Sequence, residues 1–145
     1  MDALVRHGKR NLTVIANDTA SPGVGIGKLI NAKLVGKAIV SHLTPTGVGT
    51  LAEEGKRTIE SDGKTFLLEL PLRADFALIH AMVADYLGNL YYALTARNFN
   101  PIMAMAADTV MATAENIVPV GVISPDHAVT PGPLVDYFIL NEEDI

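Results

Sequence analysis

A chain of 145 residues with 49% apolar content supports one domain with one sizeable core and excludes a disordered polymer. The net charge of −5, with no basic stripe anywhere, excludes a nucleic-acid partner that would want clustered Lys and Arg. The absence of Cys removes disulfides, thiolate chemistry and sulfur metal sites together.

In chain order, Asp2–His7 reads as a helix fragment stopped by Gly8, with nothing before it for Leu4 and Val5 to pack on. The β-branched run 11–16 suits a buried parallel strand. It ends in Asn17-Asp18-Thr19, polar groups placed where ligands of open α/β sheets sit, though the same residues suit a turn rich in Asx hydrogen bonds. Gly23-Val24-Gly25-Ile26-Gly27-Lys28 imitates a phosphate loop. It lacks both the P-loop spacing and the Rossmann glycine spacing, so it reads as an entry to a helix over 28–33. A second apolar strand is expected over 36–43; His42 near its end is a candidate acid/base, but with no carboxylate paired to it a capping or packing residue is the better reading.

Thr44-Pro45-Thr46-Gly47-Val48-Gly49 is a rigid turn followed by glycines that let a ligand approach the backbone. Glu53 and Glu54 point about 100° apart on a helical turn, so they form no catalytic carboxylate pair. Asp62-Gly63 between two strand-like runs predicts a hairpin, and Asp85–Gly88 predicts a second one between strands over 76–83 and 89–94. His80, inside an apolar run, is expected to pack, and Arg97 suits an anion contact or a salt bridge equally. Asn100-Pro101 reads as a helix start: Asn caps, Pro fits the first helical position, and the Ala/Met body behind it should be buried. A strand over 109–112, a Pro-rich looped tail, a final strand over 134–140 and a fraying acidic end complete the chain. Asp126 and His127 have no nucleophile opposite and make no dyad, and no metal-ligand spacing exists.

The expected fold class is therefore α/β: an open, mainly parallel sheet flanked by helices, with hairpin additions, in a single domain over 1–145. The mean hydropathy of +0.29 is high, yet Gly, Pro, Asp and Asn break every apolar run before it reaches membrane-spanning length. The excess fits a buried subunit face or a nearly dry core. No export signal opens the chain, which makes the cytoplasm, with no membrane partner, the expected compartment.

Several stretches, taken in order, carry a family resemblance: LTVIANDT (12–19), GIGKL (25–29), TPTGVGTLAEEG (44–55), FLLELPLRAD (66–75), LGNL (87–90), ARNFNP (96–101) and VTPG (129–132). Together they resemble the α subunit of bacterial acetate/butyrate–acetoacetate CoA-transferases. The resemblance implies an enzyme that moves coenzyme A from an acyl-CoA to a short-chain carboxylate. It implies a glutamate on a β-subunit partner, in an α2β2 assembly, that passes through an acyl anhydride and a glutamyl-CoA thioester. The chain would then carry no catalytic residue of its own and no permanently bound cofactor, the coenzyme A thioester being substrate. Asn17, Thr44, Thr46, Gly47, Gly49 and Asn98 are the expected CoA and substrate-pocket residues. Glu53-Glu54-Gly55 copies the β subunit's Glu-x-Gly only superficially.

The resemblance also implies missing pieces: an N-terminal strand–loop–helix unit, and a long segment between the equivalents of Leu43 and Thr44, about the size of a βαβ unit. Two other readings stand beside it. One is a sugar-phosphate-binding or isomerase-like α/β domain, for which Lys28 and Arg97 would aim at phosphate. The other is a non-catalytic subunit-interaction domain.

Overall fold

The computed structural model describes residues 1–42, 58–68 and 70–140. Thr44, Thr46, Gly47, Gly49, Glu53 and Glu54 lie outside the described residues. The chain divides into two compact units, Met1–Glu69 and Leu70–Ile145.

In the first unit, α1 (Asp2–His7) ends as expected: Gly8 adopts the left-handed conformation at φ 66° and its N–H bonds the Leu4 and Val5 carbonyls. β1 (Leu12–Asp18) pairs in parallel with β2 (Val35–His42), so the two apolar runs do form neighbouring parallel strands. Between them, turns from Ser21 to Gly27 lead into α2 (Gly27–Asn31). Gly27 is required there, because a Cβ would overlap the Ser21 carbonyl oxygen. Lys28 bonds both carboxylate oxygens of Asp2 at 2.8 Å and joins α2 to α1. β3 (Thr58–Ser61) and β4 (Lys64–Leu67) form the Asp-Gly hairpin. Asp62 at φ 49° and Gly63 at φ 70° supply the two positive values that a type I′ turn needs.

The second unit is a four-stranded sheet in the order β6-β5-β7-β8. β5 (Ala74–Asp85) and β7 (Ala107–Val118) run parallel over nearly their whole length, and α3 (Ala96–Ala106) is the crossover between them. β6 (Leu90–Tyr91) pairs antiparallel with Val83 and Ala84, and β8 (Tyr137–Phe138) lies parallel beside β7. Alternation sorts the sheet's side chains. Ala77, Ile79, Ala81, Val110, Ala112 and Ala114 face a core completed by Leu90, Tyr92 and Ala104. These parallel pairs with a crossover helix, plus the antiparallel hairpin strand, are the expected α/β architecture.

Several expectations fail in this unit. The helix starts at Ala96, so Pro101 lies inside it and Asn100 caps nothing. It begins instead through 3₁₀-type bonds from Ala96, Arg97 and Asn98 to the carbonyls of Ala93, Leu94 and Thr95. Asn100 instead ties the helix to the sheet. Its Nδ2 donates to the Ala96 carbonyl at 2.8 Å and its Oδ1 accepts the His80 backbone N–H at 3.1 Å. That N–H lies on the edge of β5 that β6 leaves unpaired beyond Val83. Nor is the helix body buried, for only Ala104 is, while Phe99, Ile102 and Met105 are exposed. The final strand shrinks to two residues, since Gly132–Leu134 is a 3₁₀ turn.

Candidate functional site

At the carboxyl end of β1, parallel pairing sets Asp18 beside His42 and leaves Asn17 exposed. Asp18 Oδ1 accepts the Ala20 N–H, an Asx bond that holds Ala20 at φ 56°, and Thr19 turns inward and is buried. The stretch is an Asx turn, and Asn17 is an exposed amide near the carboxyl end of β1. A shallow recess of ≈ 260 Å³ lies nearby, lined by Thr19, Ile30, Val35, Gly36, Lys37 and Ala38.

Asn98 belongs to the second unit, exposed in the first turn of α3 beside exposed Arg97. Of the expected pocket residues, Asn17 and Asn98 are therefore placed, each within its own unit, and the other four lie outside the described residues. Among the described residues no group of three or more His, Cys, Asp or Glu side chains is arranged to hold a metal ion.

The carboxyl ends of β5 and β7 carry a polar network that sequence reading treated as a mere turn. Asp85 is buried, and its carboxylate accepts from Leu87 N at 2.9 Å, Asn89 N at 3.0 Å and Asn89 Nδ2 at 2.8 Å. Burial pushes its carboxyl pKa up, but the bonds from Asn89, Leu87 and Gly88 outweigh that and hold it below the ordinary value. Asn89 Oδ1 in turn accepts the Gly132 N–H at 2.9 Å, pinning the loop that follows β7. Buried Tyr92 shares a 2.8 Å hydroxyl–hydroxyl bond with buried Thr130. Burial raises the phenol's pKa against the opposing effect of that bond. The spacing Asp-x-x-x-Asn after an apolar strand was the available signal for this network.

His80 departs from its expected packing role. It lies exposed on the sheet face opposite the core, its Nδ1 2.8 Å from Thr113 Oγ and its Nε2 3.8 Å from Glu115. The arrangement resembles a hydroxyl–imidazole–carboxylate relay. However, the trio sits on the surface of two paired parallel strands, and its geometry alone assigns it no reaction. The His127 ring lies tilted against that of Tyr91, with centroids 5.9 Å apart. Lys28, required free by a sugar-phosphate reading, is spent on Asp2.

Comparison with known proteins adds the missing context. The family described as Coenzyme A transferase matches residues 42–141. The acetate CoA-transferase subunit alpha of Escherichia coli (strain K12) is 44% identical over 183 aligned positions, covering 99% of this chain and 83% of that protein. The acetoacetyl-CoA:acetate/butyrate CoA transferase alpha subunit of Clostridium acetobutylicum is 39% identical over 179 positions, covering 96% of this chain and 82% of the relative. Because this chain has only 145 residues, about 40 positions of each relative face none of its residues. Among solved structures, an acyl-CoA transferase from E. coli O157:H7, in a thioester complex with CoA, shares the fold with a TM-score of 0.72 at 18% identity. That match covers 97% of this chain and 40% of the larger one.

Proposed function

The chain belongs to the coenzyme A transferase family, and from that premise we propose that it is the alpha-type subunit of an enzyme moving coenzyme A from an acyl-CoA to a short-chain carboxylate of the acetate, butyrate or acetoacetate type. The observation that carries this reading is the 44% identity to an acetate CoA-transferase subunit alpha across 99% of the chain. A relative that is itself an alpha subunit argues for a beta partner, and we assign an α2β2 assembly acting in the cytoplasm. Both compact units fall within the aligned region, which supports treating them as parts of one CoA-transferase domain.

The chemistry divides between the chains. A glutamate carboxylate on the beta partner attacks the thioester carbonyl and expels the CoA thiolate, leaving an acyl anhydride. The thiolate then attacks the glutamyl carbonyl, releasing the donor acid and forming a glutamyl-CoA thioester. The acceptor carboxylate repeats the two steps in reverse. This chain supplies one wall of the cleft. Asn17 and Asn98 are amide donors for CoA or the thioester oxygen, Thr44 and Thr46 are further hydrogen-bonding groups, and Gly47 and Gly49 let the ligand approach the backbone.

The test is co-expression with a beta chain, followed by incubation with acetoacetyl-CoA and acetate. The expected result is transfer by the complex, none by this chain alone, and a CoA adduct on the partner's glutamate by mass spectrometry. A complex that forms and yields neither adduct nor acetyl-CoA refutes the assignment.

A further inference from the structure

β5 and β7 pair in parallel with His80 directly beside Thr113, and the pleat puts Glu115, two residues on, on the same face as Thr113. All three side chains come from these two strands, so their mutual geometry is set within the second unit. The backbone of His80 is also held by α3, its N–H donating to Asn100 Oδ1 at 3.1 Å. The ring's Nδ1 is 2.8 Å from Thr113 Oγ. A threonine hydroxyl can accept, so this contact can hold the ring proton on Nδ1 and leave the Nε2 lone pair free.

Nε2 faces the Glu115 carboxylate, 3.8 Å from Oε1. Two acceptors set against each other in this way want a cation between them. A proton bridges such a pair best at about 2.7–2.9 Å, well short of the gap here. A metal ion fits it better. Zinc binds an imidazole nitrogen at about 2.0–2.1 Å and a carboxylate oxygen at about 2.0–2.2 Å. Those contacts span the 3.8 Å gap at an N–Zn–O angle of about 130°, and a shift of roughly 0.4 Å by the Glu115 side chain brings the angle to the tetrahedral value. Thr113 then stands where a ligating histidine ordinarily has its outer hydrogen-bond partner. Imidazole beside a carboxylate selects a borderline first-row ion over Mg²⁺ or Ca²⁺, which take oxygen ligands.

We propose that His80 and Glu115 form a two-point site for a divalent ion of the zinc class, with Thr113 as its positioning residue and water completing the coordination. Two protein ligands are fewer than a closed zinc site has, so the affinity is modest and the ion exchangeable. The ligands stand on different strands, so no sequence spacing announces them. An ion held there clips β5 to β7. The site is independent of the CoA chemistry proposed above.

The full chain, freed of any affinity tag, is titrated with ZnCl₂ by calorimetry, and its imidazole nitrogens are followed by NMR after ¹⁵N-histidine labelling. The expected result is a saturable phase of about one ion per chain, with His80 Nε2 as the ligand and Nδ1 still protonated, and a melting temperature raised by several degrees. Glu115→Gln should weaken that phase at least tenfold and His80→Ala should abolish it, both with unchanged circular dichroism. Thr113→Val keeps both ligands and should weaken binding about tenfold, with Thr113→Ser restoring it. His127→Gln should leave it unaltered, and excess Mg²⁺ should not compete. No saturable phase in the parent up to millimolar zinc, a phase that survives His80→Ala, or one indifferent to Glu115→Gln would each overturn the proposal. Should His80→Ala fail to fold, the Glu115→Gln titration and the His80 nitrogen shifts of the parent decide it.

Discussion

Replacing Asp85 by Ala tests how the second unit is held together. The carboxylate accepts three hydrogen bonds, from Leu87 N, Asn89 N and Asn89 Nδ2, all within 3.0 Å. A hydrogen bond to a charged group is worth about 1.5–3 kcal/mol, and each donor left unpaired in a buried place costs about 1–3. The three share one acceptor and are not additive, so the expected loss is about 3–5 kcal/mol, a large share of a stability of roughly 5–15 kcal/mol. Asn89 would also lose its orientation and with it the bond to Gly132 N, loosening the loop after β7. Asp85→Asn keeps an acceptor for the backbone donors but sets an amide against Asn89, so it should fall between the two.

The pH dependence has a definite sign. The folded carboxyl titrates below 3.8, so the stabilisation is fully present above that value and is lost as pH falls from 3.8 through the lower folded value. Urea unfolding at pH 7 and across pH 2.5–5 measures both effects. A midpoint for Asp85→Ala equivalent to within about 1 kcal/mol of the parent, or an acid slope identical to the parent's, would refute the reasoning.

Leu94 sits at φ 49° and is 92% exposed, so Leu94→Gly should stabilise by about 0.5–1 kcal/mol in thermal melts, relieving a left-handed conformation that costs a Cβ-bearing residue about 1–2. Gly132→Ala should destabilise by about 1–3 kcal/mol, because its Cβ would overlap the Leu87 carbonyl in a place with no flexible side chain to give way. Asn100→Ala removes the bonds to Ala96 and His80 and should cost about 1–2 kcal/mol in urea unfolding, with faster amide exchange at His80. In the reconstituted complex, Asn17→Ala and Asn98→Ala should raise KM for acyl-CoA about tenfold at unchanged fold, one lost hydrogen bond being worth about 1 kcal/mol or somewhat more.

The parts of this fold that sequence reading reached are those whose causes are local. Asp62-Gly63 needs only its own backbone freedom to make a hairpin, Gly8 only its missing Cβ to end α1, and the β-branched run before Asn17 only its neighbours to favour a strand. What it missed has causes at a distance. Asn100-Pro101 carries the chemistry of a helix start, but Asn100 is recruited by an unpaired strand N–H 20 residues earlier, and the helix begins a turn sooner through 3₁₀ bonds. β7 runs on through Glu115 and Asn116, which look like a strand's end, because β5 beside it continues to Asp85. His80 seemed a packing residue since its neighbours are apolar, yet a one-residue change of parity separates the core face from the open one. Of the candidate site, the strand-end position of Asn17 was legible from the apolar run before it. Asn98 was expected just ahead of a helix starting at Asn100-Pro101, and it lies inside α3 because the helix begins at Ala96.

The central claim is that this chain shapes part of a cleft whose bond-making carboxylate belongs to another subunit. The most direct measurement is the mass of each chain after the co-purified complex is incubated with acetoacetyl-CoA and no acceptor acid. The account predicts a CoA-sized increase on the beta chain alone, discharged on adding acetate, with this chain's mass unchanged. A CoA or acyl adduct on this chain, or thioester turnover by this chain in isolation, would contradict it.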